Sequence, residues 1–253
     1  MSHVIAGERR AHAGVSAQET FPRLLAARAA ERPKDVALQE KLYGIWLPIT
    51  WQEYAERVRD FGHGLADLGI ARGDVVAVLG DNRSEWLIAE VAAQSIGAAV
   101  VGIYPTSLDE EIVHILTVSG ARVVVAEDQE QVDKLLRVKD DVPDLATVVF
   151  YDPHGLETYT QPWLVEFTAI EERGRAWGES RPGWFEDQVA QGEPDDIAVV
   201  CTTSGTTSRP KLGQLTHRNL LSMADNLTSI DPLGPKDRFV SFLPLAWIGE
   251  QMI

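Results

Sequence analysis

An α/β fold, with a parallel sheet covered by helices on both faces, is what this 253-residue sequence predicts. Three observations carry that reading. Runs such as Val75–Leu79 and Ala99–Ile103 are apolar throughout instead of alternating, the pattern of strands buried on both faces. They alternate with stretches in which apolar residues recur at helical spacing. Those stretches open on capping signals and close on glycine. At 45% hydrophobic residues the chain can bury a sizeable core, and its length suits one large domain or two modest ones.

Taken in order, Thr20 can cap a helix over Phe21–Ala30, with Pro22 tolerated in the first turn and Pro33 beyond the end. Val36–Gln39 and Trp46–Ile49 read as two short strands about a turn at Gly44. Thr50-Trp51-Gln52-Glu53 is a capping box, after which Tyr54, Val58, Phe61, Leu65 and Leu68 mark one helical face up to Gly69. Val75–Leu79 is a strand, Gly80-Asp81-Asn82 a turn, and Ser84–Ile96 a helix closed by Gly97. Ala99–Ile103 is the next strand. Ser107-Leu108-Asp109-Glu110 reads as a second capping box opening a helix to Gly120, followed by a strand over Arg122–Ala126. Gln129–Val138 is expected to be helical and Thr147–Tyr151 a strand. From Asp152 to Pro194 the pattern is less regular, and surface helices along one edge are expected, with Trp163, Trp177 and Trp184 as packing anchors. A strand over Ile197–Cys201 follows. Thr216 caps a helix with Leu220, Met223, Ala224 and Leu227 on one face, and Arg238–Leu243 is expected as a final strand that starts a second sheet.

Composition excludes several classes of function. A formal net charge of −15, without a basic patch, argues against nucleic acid or an anionic membrane surface as main partner. One cysteine, Cys201, rules out an intramolecular disulfide and a cysteine-rich metal site, and suits a reducing compartment; its place at the end of a buried strand favours a core thiol over a nucleophile. Met1–Thr20 holds no apolar segment of signal-peptide type, and Val91–Ile103 is too short to cross a bilayer and is interrupted by Gln94 and Ser95. A cytoplasmic location is expected, with peripheral contact at the inner membrane face left open. His217, at a helix start, reads as structural.

The stretch Thr202-Thr203-Ser204-Gly205-Thr206-Thr207-Ser208-Arg209-Pro210-Lys211 puts six hydroxyls, a glycine and a lysine directly after an apolar run. Hydroxyls and backbone N–H groups at the end of a buried strand can converge on one anion, Gly205 allows close approach of the main chain, and Lys211 brings positive charge. The P-loop pattern fails here, because Pro210 stands where its second glycine belongs and Leu212 follows the lysine. The stretch instead resembles the signature of the acyl-adenylate-forming enzymes, Thr-Ser-Gly-Thr-Thr-Gly-x-Pro-Lys-Gly. Thr203–Thr207, Pro210 and Lys211 match in order and spacing, while Ser208 and Leu212 replace glycines. Ile49-Thr50-Trp51, Gly73-Asp74, Asp81-Asn82-Arg83 with Trp86, Gly97-Ala98, Tyr104-Pro105 and Phe242–Gln251 fall in the order seen in long-chain fatty-acyl-CoA synthetases.

That resemblance implies the first sheet of an adenylate-forming N-terminal domain, with a first lobe over 1–194 (1–19 as a loose N-terminus) and the start of a second lobe over 195–253. It implies ATP-dependent activation of a long-chain fatty acid to an acyl-adenylate and then acyl-CoA, with ATP, Mg2+ and CoA as cofactor or co-substrates. It assigns Thr203, Ser204, Gly205, Thr206, Thr207 and Lys211 to the triphosphate, and Trp247, where many relatives have histidine, to the acid. Lys211 is not the family's catalytic lysine. That residue, and the mobile C-terminal domain, are expected beyond Ile253, so the chain is expected to be a partial, inactive N-terminal portion. The alternatives are a ligase for another carboxylic acid or for a carrier-protein thiol, or a truncated, non-catalytic nucleotide-binding module. Oligomeric state is not legible in the sequence.

Overall fold

The computed structural model describes residues 19–203, 210–234 and 236–252. Helix α1 (Phe21–Glu31) starts at Thr20, whose hydroxyl accepts from Arg23 N–H at 3.4 Å. Strands β1 (Val36–Leu42) and β2 (Ile45–Thr50) form a separate antiparallel hairpin, with Leu42 opposite Ile45. Tyr43 (φ +47°) and Gly44 (φ +85°) both take left-handed backbone, as a two-residue turn matching strand twist requires. Helix α2 (Trp51–Asp67) opens on the expected capping box. Glu53 N–H donates to Thr50 Oγ1 at 3.2 Å, and Thr50 N–H to Glu53 Oε2 at 2.8 Å.

The parallel sheet then builds from β3 (Val75–Leu79), α3 (Ser84–Ser95), β4 (Ala99–Ile103), α4 (Asp109–Ser119), β5 (Val123–Ala126), α5 (Gln129–Val138), β6 (Thr147–Phe150) and β7 (Leu164–Glu166). Helices α6 (Phe167–Glu179) and α7 (Trp184–Gln191) follow, then β8 (Ile197–Thr203), β9 (Lys211–Thr216) and α8 (His217–Ile230). The strand order is β7-β6-β5-β3-β4-β8-β9, parallel except for β9. Read from β4, the order β4-β3-β5-β6-β7 is the flavodoxin-like 2-1-3-4-5 pattern, with its switch point between β3 and β5.

Strand alternation divides the interior. Val76 and Val78 face a core shared with α1, α2, α3, α6 and α7, whereas Ala77 and Leu79 face one shared with α4 and α5. The apolar runs in the sequence are the direct trace of these two cores.

Three expectations are corrected. The second capping box sits one residue late. Leu108, not Ser107, is the N-cap of α4, and only the reciprocal half exists, Leu108 N–H donating to Glu111 Oε2 at 3.0 Å, because leucine has no side-chain acceptor. Ser107 N–H is already used in a turn to Tyr104 O. The region 152–194 is more than surface helices: β7 extends the sheet, and α6 buries Phe167 and Ile170 against α2, with the Phe61 and Phe167 rings stacked at 4.1 Å. Residues 238–243 form no strand, since no described strand lies beside them to complete a ladder; Phe239, Val240 and Phe242 are exposed.

The α2–α6 contact is made close by glycines. A Cβ on Gly64 would lie 2.5 Å from Ile170, one on Gly178 would lie 2.5 Å from the His63 ring, and one on Gly174 would collide with the carbonyl oxygen of Asp60 and come within 2.5 Å of Gly64 N. Backbone cannot yield as a flexible side chain can. Gly174→Ala is therefore expected to destabilise the chain by about 3 kcal/mol, read as a lower urea midpoint at unchanged slope, while Glu172→Ala on the exposed side of α6 shifts stability by less than about 0.5 kcal/mol.

Candidate nucleotide-binding site at the carboxyl ends of the strands

The hydroxyl-rich loop joins β8 to β9, and its two ends are fixed. Thr203 and Lys211 are ladder partners, and Thr203 Oγ1 donates to Lys211 O at 3.2 Å. On the far side His114 of α4 holds the carbonyl of Pro210 at 2.8 Å. Thr203 and Lys211 are both exposed, at the carboxyl end of β8 and so at the same end of the sheet as the ends of β3, β4 and β5. The structure thus brings Thr203 and Lys211 together. Ser204, Gly205, Thr206 and Thr207 lie outside the described residues.

Leu212, where the resembling signature has glycine, turns onto the α4–α5 core. A glycine there would leave that edge of the core uncovered. Cys201 is half-buried and its thiol is pushed up by burial, so it stays protonated at neutral pH, in line with a core thiol. His114 was not singled out in the sequence; its only signal there is a place on α4 toward the loop that follows β8.

The base of the hairpin is anchored from several sides. Thr216 caps α8, accepting from Asn219 N–H at 3.2 Å and donating its own N–H to Asn219 Oδ1 at 3.0 Å. His217 is buried and accepts from Phe21 N–H at 3.4 Å, with its ring 5.5 Å from that of Phe21, which bears out its structural reading. Arg218 pairs with Asp195 through two hydrogen bonds of 2.7 and 2.9 Å, and Arg72 with Asp196 at 2.9 Å. From the α3 side, buried Gln94 donates to Ala198 O at 3.4 Å and to Glu90 at 3.2 Å, and Trp86 Nε1 donates to the same carboxyl at 3.2 Å.

The switch-point crevice is filled by the protein itself. Glu127, just after β5, accepts from Asp81 N–H at 2.6 Å, and Gly80 has no room for a Cβ because the Tyr151 hydroxyl and Glu127 Cβ would lie 2.5 and 2.6 Å away. Arg83 lies 3.8 Å from Glu127 and 3.5 Å from Glu40. The carboxyl end of β8 lies away from that crevice, on the other side of β4. Trp247, half exposed, lies in the segment that crosses there, with Ile248 packed on the small core formed by Ala198, Val199 and Leu220. Trp177 and Trp184 lie at the opposite end. They meet at 4.8 Å around His63 and line a pocket of about 300 Å³ beside the loop entering β3. Among the described residues no group of three or more side chains could hold a metal ion, and no helix is long and apolar enough to cross a membrane.

A family model described as AMP-binding enzyme matches residues 25–253. The chain belongs to the AMP-binding enzyme family. It is 30% identical over 222 residues to the long-chain-fatty-acid–CoA ligase ACSBG2 of Xenopus laevis, covering 86% of this chain and 29% of that protein. It is 31% identical over 218 residues to the long-chain-fatty-acid–CoA ligase FadD15 of Mycobacterium bovis, covering 85% and 34%. The chain therefore spans about a third of the length of these curated relatives. Its fold is similar to that of the N-terminal domain of FACL13 from Mycobacterium tuberculosis (TM-score 0.70, 23% identity, 92% of this chain and 53% of that one). It is equally similar to a luciferase-like enzyme of the mealworm Zophobas morio (TM-score 0.72, 19% identity, 92% and 51%).

Two buried groups beside β8 give this family member opposing responses to pH. Burial lowers His217 from 6.5 to about 4, so as pH falls through that window the unfolded chain takes up a proton that the folded chain does not, and stability falls. Burial raises Glu90 from 4.5 to about 7, against the hydrogen bonds from Trp86 and Gln94, so stability falls as pH rises through that window. Each effect amounts to about 3 kcal/mol across its full window. The stability of Glu90→Gln relative to the unaltered chain should rise with pH from 4.5 to 7, and that of His217→Gln should rise as pH falls from 6.5 to 4. Urea midpoints at matched pH values check both; parallel curves for either variant would refute its assignment.

Proposed function

We propose that this chain supplies the triphosphate grip of an ATP-dependent ligase that converts a long-chain fatty acid to its acyl-adenylate and then to acyl-CoA, releasing AMP and pyrophosphate. The observation that carries the reading is the β8–β9 hairpin: a hydroxyl-rich loop, pinned at Thr203, Pro210 and Lys211, presented at the carboxyl edge of a parallel sheet. Family membership and the names of the curated relatives support the reaction type.

The first step brings a carboxylate to an already anionic triphosphate. What a protein must supply is orientation and stabilisation of the charge that builds on the departing pyrophosphate. Thr203, Ser204, Gly205, Thr206 and Thr207 offer hydroxyl and backbone donors for the β- and γ-phosphates, and Lys211 offers positive charge beside them. The described ends of the stretch, Thr203, Pro210 and Lys211, are each tied by a hydrogen bond or a ladder pairing. Mg2+ enters with ATP as part of the substrate, and no described residue is assigned to it. Trp247 is assigned to the acid, and the CoA thiol takes the acyl group in the second step. The chain matches about a third of its curated relatives, so the grip is assigned to it and not the whole reaction.

Thr206→Ala in the full-length protein should lower acid-dependent ATP–pyrophosphate exchange on the order of 100-fold, the effect of removing one donor to a developing anion. An unchanged exchange rate would remove the loop from the mechanism.

A further inference from the structure

Asn82, in the turn after β3, does for a remote stretch of chain what a neighbouring strand would do. Its Nδ2 donates to Leu243 O and to Ser241 Oγ, both at 2.7 Å, and its Oδ1 accepts from Leu245 N–H at 2.9 Å. A side-chain amide carries one donor edge and one acceptor, so it can satisfy the outward N–H and C=O of a short extended segment at once. Residues 238–243 have no strand partner among the described residues, and Asn82 takes that place.

The same segment is held at three further points. Glu250 Oε2 accepts from Leu243 N–H at 3.3 Å, and Gln251 Nε2 donates to Leu245 O at 2.7 Å. Ala246 rests on Gly102 of β4 so closely that a Cβ there would lie 2.8 Å from Ala246 Cα. Leu245 and Ala246 are buried in the α2–α3 core while Phe242 and Trp247, on either side, remain exposed. The backbone is therefore fixed from Leu243 to Ala246, while Phe242 and Trp247 on either side keep exposed side chains.

We infer that Asn82 is a positioning residue for the acid: it sets the 241–247 segment, and with it Trp247, at the height over β4 at which the acid is held. The inference rests on the ligase reading above. It assigns to Asn82 no contact with ATP, so its effect falls on the acid alone. Gly102 tests the same geometry from below, because a methyl group there lifts Ala246 without touching Asn82.

Two measurements decide it. In the chain itself, hydrogen exchange should show the Leu245 amide exchanging at least about ten-fold faster in Asn82→Ala, with strands β3 and β4 unchanged, and still protected in Asn82→Asp, which keeps the acceptor. In the full-length protein, Asn82→Ala and Gly102→Ala should each raise KM for a long-chain acid about ten-fold and leave KM for ATP within about two-fold. Unchanged Leu245 exchange overturns the clamp. Equal losses for acid and ATP, or an unaltered acid KM in both variants, overturn the positioning role while leaving the ligase reading intact. A full-length wild-type protein with no acid-dependent exchange overturns the ligase reading, and the acid assignment with it.

Discussion

Two rungs of backbone pairing, Val100 with Val199 and Val101 with Val200, join the β8–β9 hairpin to the rest of the sheet. Everything about the site's position follows from that short junction. It aligns the carboxyl end of β8 with those of β3 and β4, so the loop after Thr203 emerges where the loops after the other parallel strands emerge. A junction of two rungs is weak by itself, and the molecule surrounds it with longer-range ties. Gln94 reaches across from α3, Arg72 and Arg218 hold the two aspartates that precede β8, and His217 receives the N-terminal N–H of α1. Because β9 runs antiparallel, the hairpin also closes the sheet on that side and leaves β9, not β8, as the edge.

The chemistry of those ties explains why they are polar and yet buried. Glu90 is satisfied by two donors, but burial still outweighs them, raises it to about 7 and keeps it largely protonated below that pH. His217 stays neutral because it serves as an acceptor in an apolar corner. Between about pH 4 and 7 neither group is therefore predominantly a charge in the interior. One loses stability toward acid and the other toward base, and over the shared interval from 4.5 to 6.5 their slopes oppose each other.

Much of the sheet was legible because parallel strands buried on both faces leave an unbroken apolar signature, and because Thr20, Thr50 and Thr216 cap helices by a local rule that needs no tertiary context. The loop stood out for a different reason, a local run of hydroxyls, a glycine and a lysine that matches a family signature in order and spacing. What the sequence hid was relational. The role of α6 depends on Gly64, Gly174 and Gly178 meeting across a helix crossing, and spacing within one helix does not reveal which other helix its glycines face. His114 and Asn82 act on backbone some 96 and 163 residues away, so neither stands out from its own surroundings.

The segment 238–243 shows where a local pattern stops being informative. Apolar residues in an extended stretch state which surfaces want cover, but a strand exists only when another backbone accepts its hydrogen bonds. Here that backbone is replaced by a side-chain amide, two flanking carboxyl and amide groups, and a glycine that lets the chain lie flat on β4. Such a fixing is discrete. It holds the main chain at Leu243 and Leu245 and leaves the neighbouring side chains free of a ladder's fixed register. A strand over 238–243 would have committed Phe242 to one face of a sheet; a clamp lets it be set by a few separate contacts, each of which a single substitution can shift.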